Sequence, residues 1–289
     1  MHYHEWEEQY LGLINYILEY GTDQVNERTG KVCRFYHGDM MKFDLSSGYF
    51  PLLTTKKMAY KAMIGELLGF IRGVDNAKDF RDLKCNFWNA NANESKHWLK
   101  NPNRKGEDDL GRIYGVQARD WQSPAGDSID QLKNAVDKLS QGIDDRRLIV
   151  THWNPGELEQ MALPPCHLLY QFGLRGNYVD LTMYQRSCDV PLGIPMNIAS
   201  YALLLQLVAQ ITGRVPGIFT HFMHNIHIYE DQLGAALDEQ LQREPLTPPK
   251  MVINPEVSSL EDLETWVTID DFHLIDYEHH GPLKFAFSE

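Results

Sequence analysis

Basic residues are in the minority in this chain. Its 289 residues include 27 Lys and Arg against 40 Asp and Glu, a formal net charge of −13. A nucleic-acid-binding protein normally presents a basic face, so the overall balance argues against that class. Any local basic cluster is better matched to a small anion. Cysteine is scarce as well. Cys33, Cys85, Cys166 and Cys188 form no CxxC pair and no dense framework. Four such thiols in a chain this long read as reduced, and the compartment as cytoplasmic. Long apolar runs are missing: no stretch reaches the roughly 18 consecutive apolar residues of a membrane span. The start, MHYHEWEEQYLGLINYILEYG, has no basic segment followed by an apolar run, so it does not read as a signal peptide. Low-complexity tracts, internal repeats and Pro/Ser/Gly-rich linkers are absent too. That excludes a sizeable disordered region and favours one α+β domain over residues 1–289.

The composition that is present, 43% hydrophobic and 23% charged, suits one large core or two small ones. Residues 5–20 carry Trp6, Tyr10, Leu13, Ile14, Ile17 and Leu18 at helical spacing, closed by Gly21. KVCRFYHGDMMKFDL alternates and reads as a strand or a hairpin around Gly38. MAYKAMIGELLGFIRG (58–73) reads as a helix with a wide apolar face and one carboxylate, Glu66, inside it. A polar, Asn/Gly-rich excursion of about 89–113 reads as a long loop. DSIDQLKNAVDKLSQG reads as a helix capped by Asp127 or Ser128. RRLIVTHWN, HLLYQFGL and YVDLTMYQRS read as strands, the last two joined by a turn at RGN. MNIASYALLLQLVAQITG reads as a buried helix closed by Gly213, and IFTHFMHNIHIY as a further strand.

Two stretches carry candidate chemistry. In PPCH, Cys166 stands beside His167; in QRSCD, Arg186 and Ser187 precede Cys188 and Asp189. Neighbouring strand residues point to opposite faces, so His167 is no base for Cys166. PPCH alone favours a buried structural thiol, because free cysteine is among the most buried residue types. Arg146, Arg147 and Arg186 shift that balance, since cations near a thiol favour its thiolate and guanidinium forks suit phosphate. The bland alternative pairs them with Asp144, Asp145 and Asp189 at the surface. His221, His224 and His227 invite a zinc hypothesis. Strand alternation, however, turns His224 away and leaves the other two about 20 Å apart at ~3.3 Å per residue. Glu66 is either a structural acceptor or an acid/base. A cysteine hydrolase built from Cys166, His227 and Asn225 leaves the arginines unexplained.

At PPCH, QRSCDVPLG, NIASYALL and HIYEDQL the sequence closely resembles the thymidylate synthase family. The resemblance runs nearly end to end through ERTGK, FPLLTTKK, ELLGFIRG, YGVQ, DDRRLIVTHWNPGEL, MALPPCH, REPL, INPEV and TIDDF, all in order. It implies a mixed β-sheet packed with helices and a homodimer formed through the sheet face. It implies reductive methylation of dUMP to dTMP with 5,10-methylenetetrahydrofolate as carbon donor and reductant, and no metal. Cys166 matches the nucleophile that adds to pyrimidine C6. Glu66 matches the proton-transfer carboxylate, and Tyr114 and His167 match polar groups of its water network. Asn197 matches the amide that reads O4 and N3. Arg28, Arg186 and Ser187 match phosphate ligands, with Arg146 and Arg147 crossing from the other subunit. His227 and Tyr229 match ligands of the sugar hydroxyl; Gln185 and Asp189 also stand in the dUMP set. Asp189 matches the residue bonding the folate pterin, and Trp88, Leu192, Gly193 and Met196 the apolar folate wall. Cys188 has no chemical role by this match.

Several positions depart from the commoner family pattern: Asn91 in place of a second tryptophan, Ala118-Arg119, His224-Asn225, a direct run from RTG to KVC, and a tail ending in Glu289. A more open folate pocket is the physical route to the alternative reading, a dUMP hydroxymethylase of the same fold, where water replaces hydride at the last step. An RNA-binding regulator is the third reading, disfavoured by the net charge.

Overall fold

The structure is a computed structural model that describes residues 5–27 and 29–287. Arg28 and Glu289, both singled out by the sequence, lie outside the described residues. Helix α1 (Glu5–Tyr20) buries Trp6, Tyr10, Leu13, Ile14 and Ile17, as the spacing predicts. The Gly21 N–H then donates to Ile17 O at 2.9 Å and closes the helix. A six-stranded sheet follows in the order β1 (Thr22–Val25), β2 (Val32–Asp44), β8 (Val215–Tyr229), β7 (Tyr178–Asp189), β6 (His167–Arg175), β5 (Ile149–Thr151). All neighbours are antiparallel except β7 and β8, which are parallel. A parallel pair needs a crossover, and α8 (Gly193–Ile211) supplies it. The sheet is therefore mixed and packed with helices, an α+β domain of the class expected.

α8 is long and apolar enough to cross a membrane, contrary to the reading that no such stretch exists. It is instead the core helix: Ile198, Leu203, Leu205 and Leu207 are fully buried against the sheet and against α2 (Tyr60–Ile71). Around this core lie α3 (Ala77–Asp82), α4 (Asn89–Asn93), α5 (Lys96–Leu99), α6 (Tyr114–Arg119), α7 (Gln131–Ser140), α9 (Ala235–Gln242) and α10 (Leu260–Thr265). Two small ribbons complete it, β3 (Trp121–Gln122) with β4 (Ser128–Ile129) and β9 (Lys250–Ile253) with β10 (Phe272–Ile275).

One open alternative is decided and two local expectations are corrected. The stretch around Gly38 is one continuous strand rather than a hairpin; Gly38 takes φ +86° inside it. The excursion at 89–113 is not a plain loop. It holds α4 and α5 and folds over fully buried Trp98, whose Nε1 donates to Asp109 O at 2.6 Å. The α7 cap is Asp130, accepting from Lys133 N, because Ser128 is taken up by the β3–β4 ribbon.

The sheet changes its inward face along one line. In β7 the buried residues are Val179, Leu181, Met183 and Gln185, then Cys188. In β8 the core residues Phe219 and Met223 give way to Ile226 and Ile228. In β6 His167 gives way to Tyr170 and Phe172 across a register shift between His167 and Leu169. Gly38 in β2 lies on the same line, between the Asn225 and Met223 pairings. Strict alternation would place His221 and His227 on one face, as expected from sequence. The switch places them on opposite faces, and among the described residues no three metal-ligating side chains converge.

α2 approaches the 77–85 segment through its glycines. A Cβ on Gly65 would lie 2.0 Å from Leu83 O. Gly65→Ala is therefore expected to destabilise the fold by about 1–3 kcal/mol, outweighing the ~1 kcal/mol helix-propensity gain. Denaturant unfolding checks this; a neutral or stabilising effect overturns the close approach.

Candidate active site

Two prolines leave the segment before Cys166 without backbone donors, so its carbonyls need partners. Arg186 provides them. Its Nε donates to Pro165 O at 2.8 Å and its Nη2 to Pro164 O at 2.9 Å. The Arg186 backbone N–H donates to Cys166 O at 2.8 Å. The Cys166 N–H donates to Tyr114 Oη at 2.7 Å. Nη2 of Arg186 then stands 4.0 Å from Cys166 Sγ. Cys166 is only partly buried, whereas Cys33, Cys85 and Cys188 are buried. Burial pushes the Cys85 thiol up to about 12 and raises Cys188 as well, so neither ionises readily.

His167 points the other way, as the alternation argument requires. It is buried, with Nδ1 2.9 Å from Tyr201 Oη and Nε2 3.4 Å from Asn197 Nδ2. Desolvation, with smaller contributions from His152, His221 and Arg186, holds it well below the usual imidazole value. His152 likewise is lowered to about 4 by burial. Tyr114 packs 4.4 Å from the His167 ring and 5.6 Å from that of Trp88. Trp88 Nε1 donates to Glu66 Oε1 at 3.0 Å. Desolvation raises Glu66 to about 7, against the downward pull of that hydrogen bond. A carboxyl poised there exchanges protons in both directions near neutrality.

Asn197 sits in the first turn of α8, where Leu192, Gly193 and Met196 are also partly exposed. Gln185 Nε2 donates to Asn197 Oδ1 at 3.0 Å and to Ser187 O at 2.9 Å. Asp189, at the end of β7, accepts from Leu192 N at 3.1 Å and from Gln232 Nε2 at 3.0 Å. Desolvation raises its pKa. It is therefore no surface ion-pair partner for Arg186. The same Gln232 amide reaches Ala286 O at 3.2 Å, tying Asp189 to the C-terminal segment. Buried Lys56 donates to Pro191 O and lies 4.9 Å from the Phe285 ring centroid. Desolvation lowers it to about 8, against the pull of Asp189.

His227 and Tyr229 are buried together, their rings 5.0 Å apart, with His227 Nδ1 2.8 Å from Asn225 Oδ1. One group of predicted residues thus comes together: Cys166, Tyr114, His167, Glu66, Trp88, Asn197, Gln185, Arg186 and Ser187. Arg146 and Arg147 do not join it. They lie exposed before β5, and Arg147, 87% exposed, pairs with Asp145 at 2.9 Å, the bland partner considered from sequence. Sequence reasoning missed Gln232, Tyr201 and Lys56; none of them sits in a pattern that signals chemistry.

The profile of the family described as thymidylate synthase matches residues 8–289. Among curated relatives, the thymidylate synthase of Shewanella halifaxensis is 53% identical over 280 residues, covering 97% of this chain and 99% of its own. That of Photobacterium profundum matches equally, and that of Haemophilus influenzae is 51% identical with the same coverage.

The raised Glu66 pKa makes stability depend on pH. Between its unfolded value of 4.5 and about 7, the native state holds a proton that the unfolded chain has released. The stability linked to this group is complete below the lower value and is lost as pH rises through the upper one, by about 3 kcal/mol in all. Glu66→Gln is expected to flatten this dependence and to exceed the parent in stability above pH 7. Denaturant melts at pH 5 and pH 8 test it; an unchanged difference between the two pH values overturns the buried-carboxyl account.

Proposed function

This chain belongs to the thymidylate synthase family, and we propose that it methylates dUMP to dTMP with 5,10-methylenetetrahydrofolate, which leaves as dihydrofolate. The observation that carries the reading is the pairing of the partly exposed Cys166 thiol with Arg186 at 4.0 Å, on one aromatic cluster with a carboxyl poised near 7. The Cys166 thiolate forms a bond to C6 of the uracil ring. The electron pair of the 5,6 double bond moves to C5 and O4, making C5 a nucleophile towards the folate methylene. Glu66 takes and returns the protons that move at C5 and O4. Loss of tetrahydrofolate leaves an exocyclic methylene, which accepts a hydride from the folate. Expulsion of Cys166 then restores the double bond.

Binding follows the same residues. Arg186 has guanidinium N–H groups beyond those held by Pro164 and Pro165, and with Ser187 and Arg28 these take the phosphate. Arg146 and Arg147, exposed beside β5, reach the phosphate of the other subunit in a sheet-face homodimer. His227 and Tyr229 hold the sugar hydroxyl. Gln185 has both amide hydrogens engaged, so it acts on the base through Asn197. The partly exposed Leu192, Gly193 and Met196, together with Trp88, form an apolar wall suited to a flat pterin, and Asp189 offers it a carboxylate. A reduced, cytoplasmic setting fits four free cysteines.

Cys166→Ser is expected to abolish turnover while leaving dUMP binding measurable; substantial turnover overturns the nucleophile. With the parent protein, mass spectrometry should find dTMP and dihydrofolate in equal amounts. Hydroxymethyl-dUMP with tetrahydrofolate would mean that water wins the last step.

A further inference from the structure

The H-x2-H-x2-H pattern leaves His221 without a role in the reaction. Its side chain is 0% exposed, on β8 beside β7. Nε2 lies 2.9 Å from Gln185 Oε1. Nδ1 is buried and has no hydrogen-bond partner among the described residues. Such a placement is costly for a side chain that merely fills space, since an apolar ring would fill the same volume without an orphaned nitrogen.

The hydrogen bonds have a fixed direction. Ser187 O can only accept, so the side of the Gln185 amide that meets it at 2.9 Å is the NH2. Oε1 of Gln185 therefore faces His221, which must donate through Nε2–H. Burial lowers His221 to about 3, so the ring is neutral and Nδ1 carries no proton. The second N–H of Gln185 donates to Asn197 Oδ1 at 3.0 Å. Asn197 Nδ2 then faces His167 Nε2 at 3.4 Å, and His167 Nδ1–H faces Tyr201 Oη at 2.9 Å. One direction runs through five side chains from β8 to α8.

That direction sets what Asn197 shows to a base. It leaves one N–H for a carbonyl such as O4 of uracil and one lone pair for N3–H. Cytosine needs the opposite arrangement. A flipped Asn197 amide would set NH2 against the NH2 of Gln185 and oxygen against the bare Nε2 of His167. We propose that His221 is a positioning residue for base selection: its Nε2–H, acting through Gln185, holds the Asn197 amide in the orientation that accepts uracil and rejects cytosine. The inference deepens the proposed function and rests on Asn197 as base reader.

The test compares dissociation constants for dUMP and dCMP on the full-length protein without folate, beside its thermal melting. In His221→Phe, which keeps the ring and removes the donor, the dUMP preference should fall about tenfold or more. His221→Gln, which restores an N–H donor, should regain most of it. Unchanged preference in His221→Phe, or equal weakening of both nucleotides, overturns the inference while leaving the proposed function standing. A parent protein with no preference for dUMP overturns the function itself. Should His221→Phe fail to fold, the His221→Gln affinities and nitrogen NMR of the parent decide. A proton on Nδ1 rather than Nε2 of His221 overturns the relay.

Discussion

Arg186 holds the site together through carbonyls rather than carboxylates. A guanidinium presents five donors in a planar fork, and here two of them close on Pro164 O and Pro165 O. With the backbone bond to Cys166 O, three contacts fasten the proline segment to β7. No acidic side chain is salt-bridged to Arg186 among the described residues, so its charge is left to face the thiol and any anion beside it. An ion pair at this place would neutralise the cation beside the thiol.

The line along which the sheet changes its inward face explains why so many polar groups gather there. Cys166 precedes β6 on that line, Arg186 and Ser187 lie on it in β7, and Asn225 in β8. A regular sheet would bury one face and wet the other. Alternation turns Gln185 toward α8 and Arg186 toward the thiol, and its reversal just beyond them returns Cys188 rather than Ser187 to the core. Gly38 accommodates the same bend in β2 with φ +86°, where a residue with a Cβ would be strained. The cost of burying polar side chains is offset because their hydrogen bonds are largely made within the cluster.

Much of this is legible in the amino-acid sequence. The apolar spacing of α1, the turn at Gly176 and the long buried α8 follow from local pattern, because those elements bury a single periodic stripe. Motif resemblance picked out Cys166, Glu66 and Asn197, which do converge. The rest depends on tertiary contact. The sequence around Gly38 leaves strand and hairpin both open, because a glycine permits a turn-like φ, and only the pairing with β8 on both sides of it decides for the strand. Asp127 and Ser128 are good caps in isolation, but the β3–β4 ribbon takes Ser128 first. The excursion reads as polar loop because its few apolar residues, Trp98 and Leu110 among them, are buried in a second core cluster completed by residues from elsewhere in the chain, such as Phe80, Trp88 and Met161. Alternation alone puts His221 and His227 on one face, but it reverses along the line between them.

Burial then decides the electrical character of the pocket. His152 and His221 are lowered to about 4 and about 3, and His167 is lowered too; Glu66 is raised to about 7 and Asp189 is raised. Every one of these shifts has desolvation as its largest cause, and each favours the neutral form. At neutral pH the three histidines are thus uncharged, and a neutral imidazole donates from one nitrogen only. Had burial left them protonated, both nitrogens would donate and the chain from His221 to Tyr201 would lose its direction. The dry interior therefore does two things with one physical effect. It leaves Arg186 as the cation beside the thiol, and it makes the surrounding hydrogen bonds point one way.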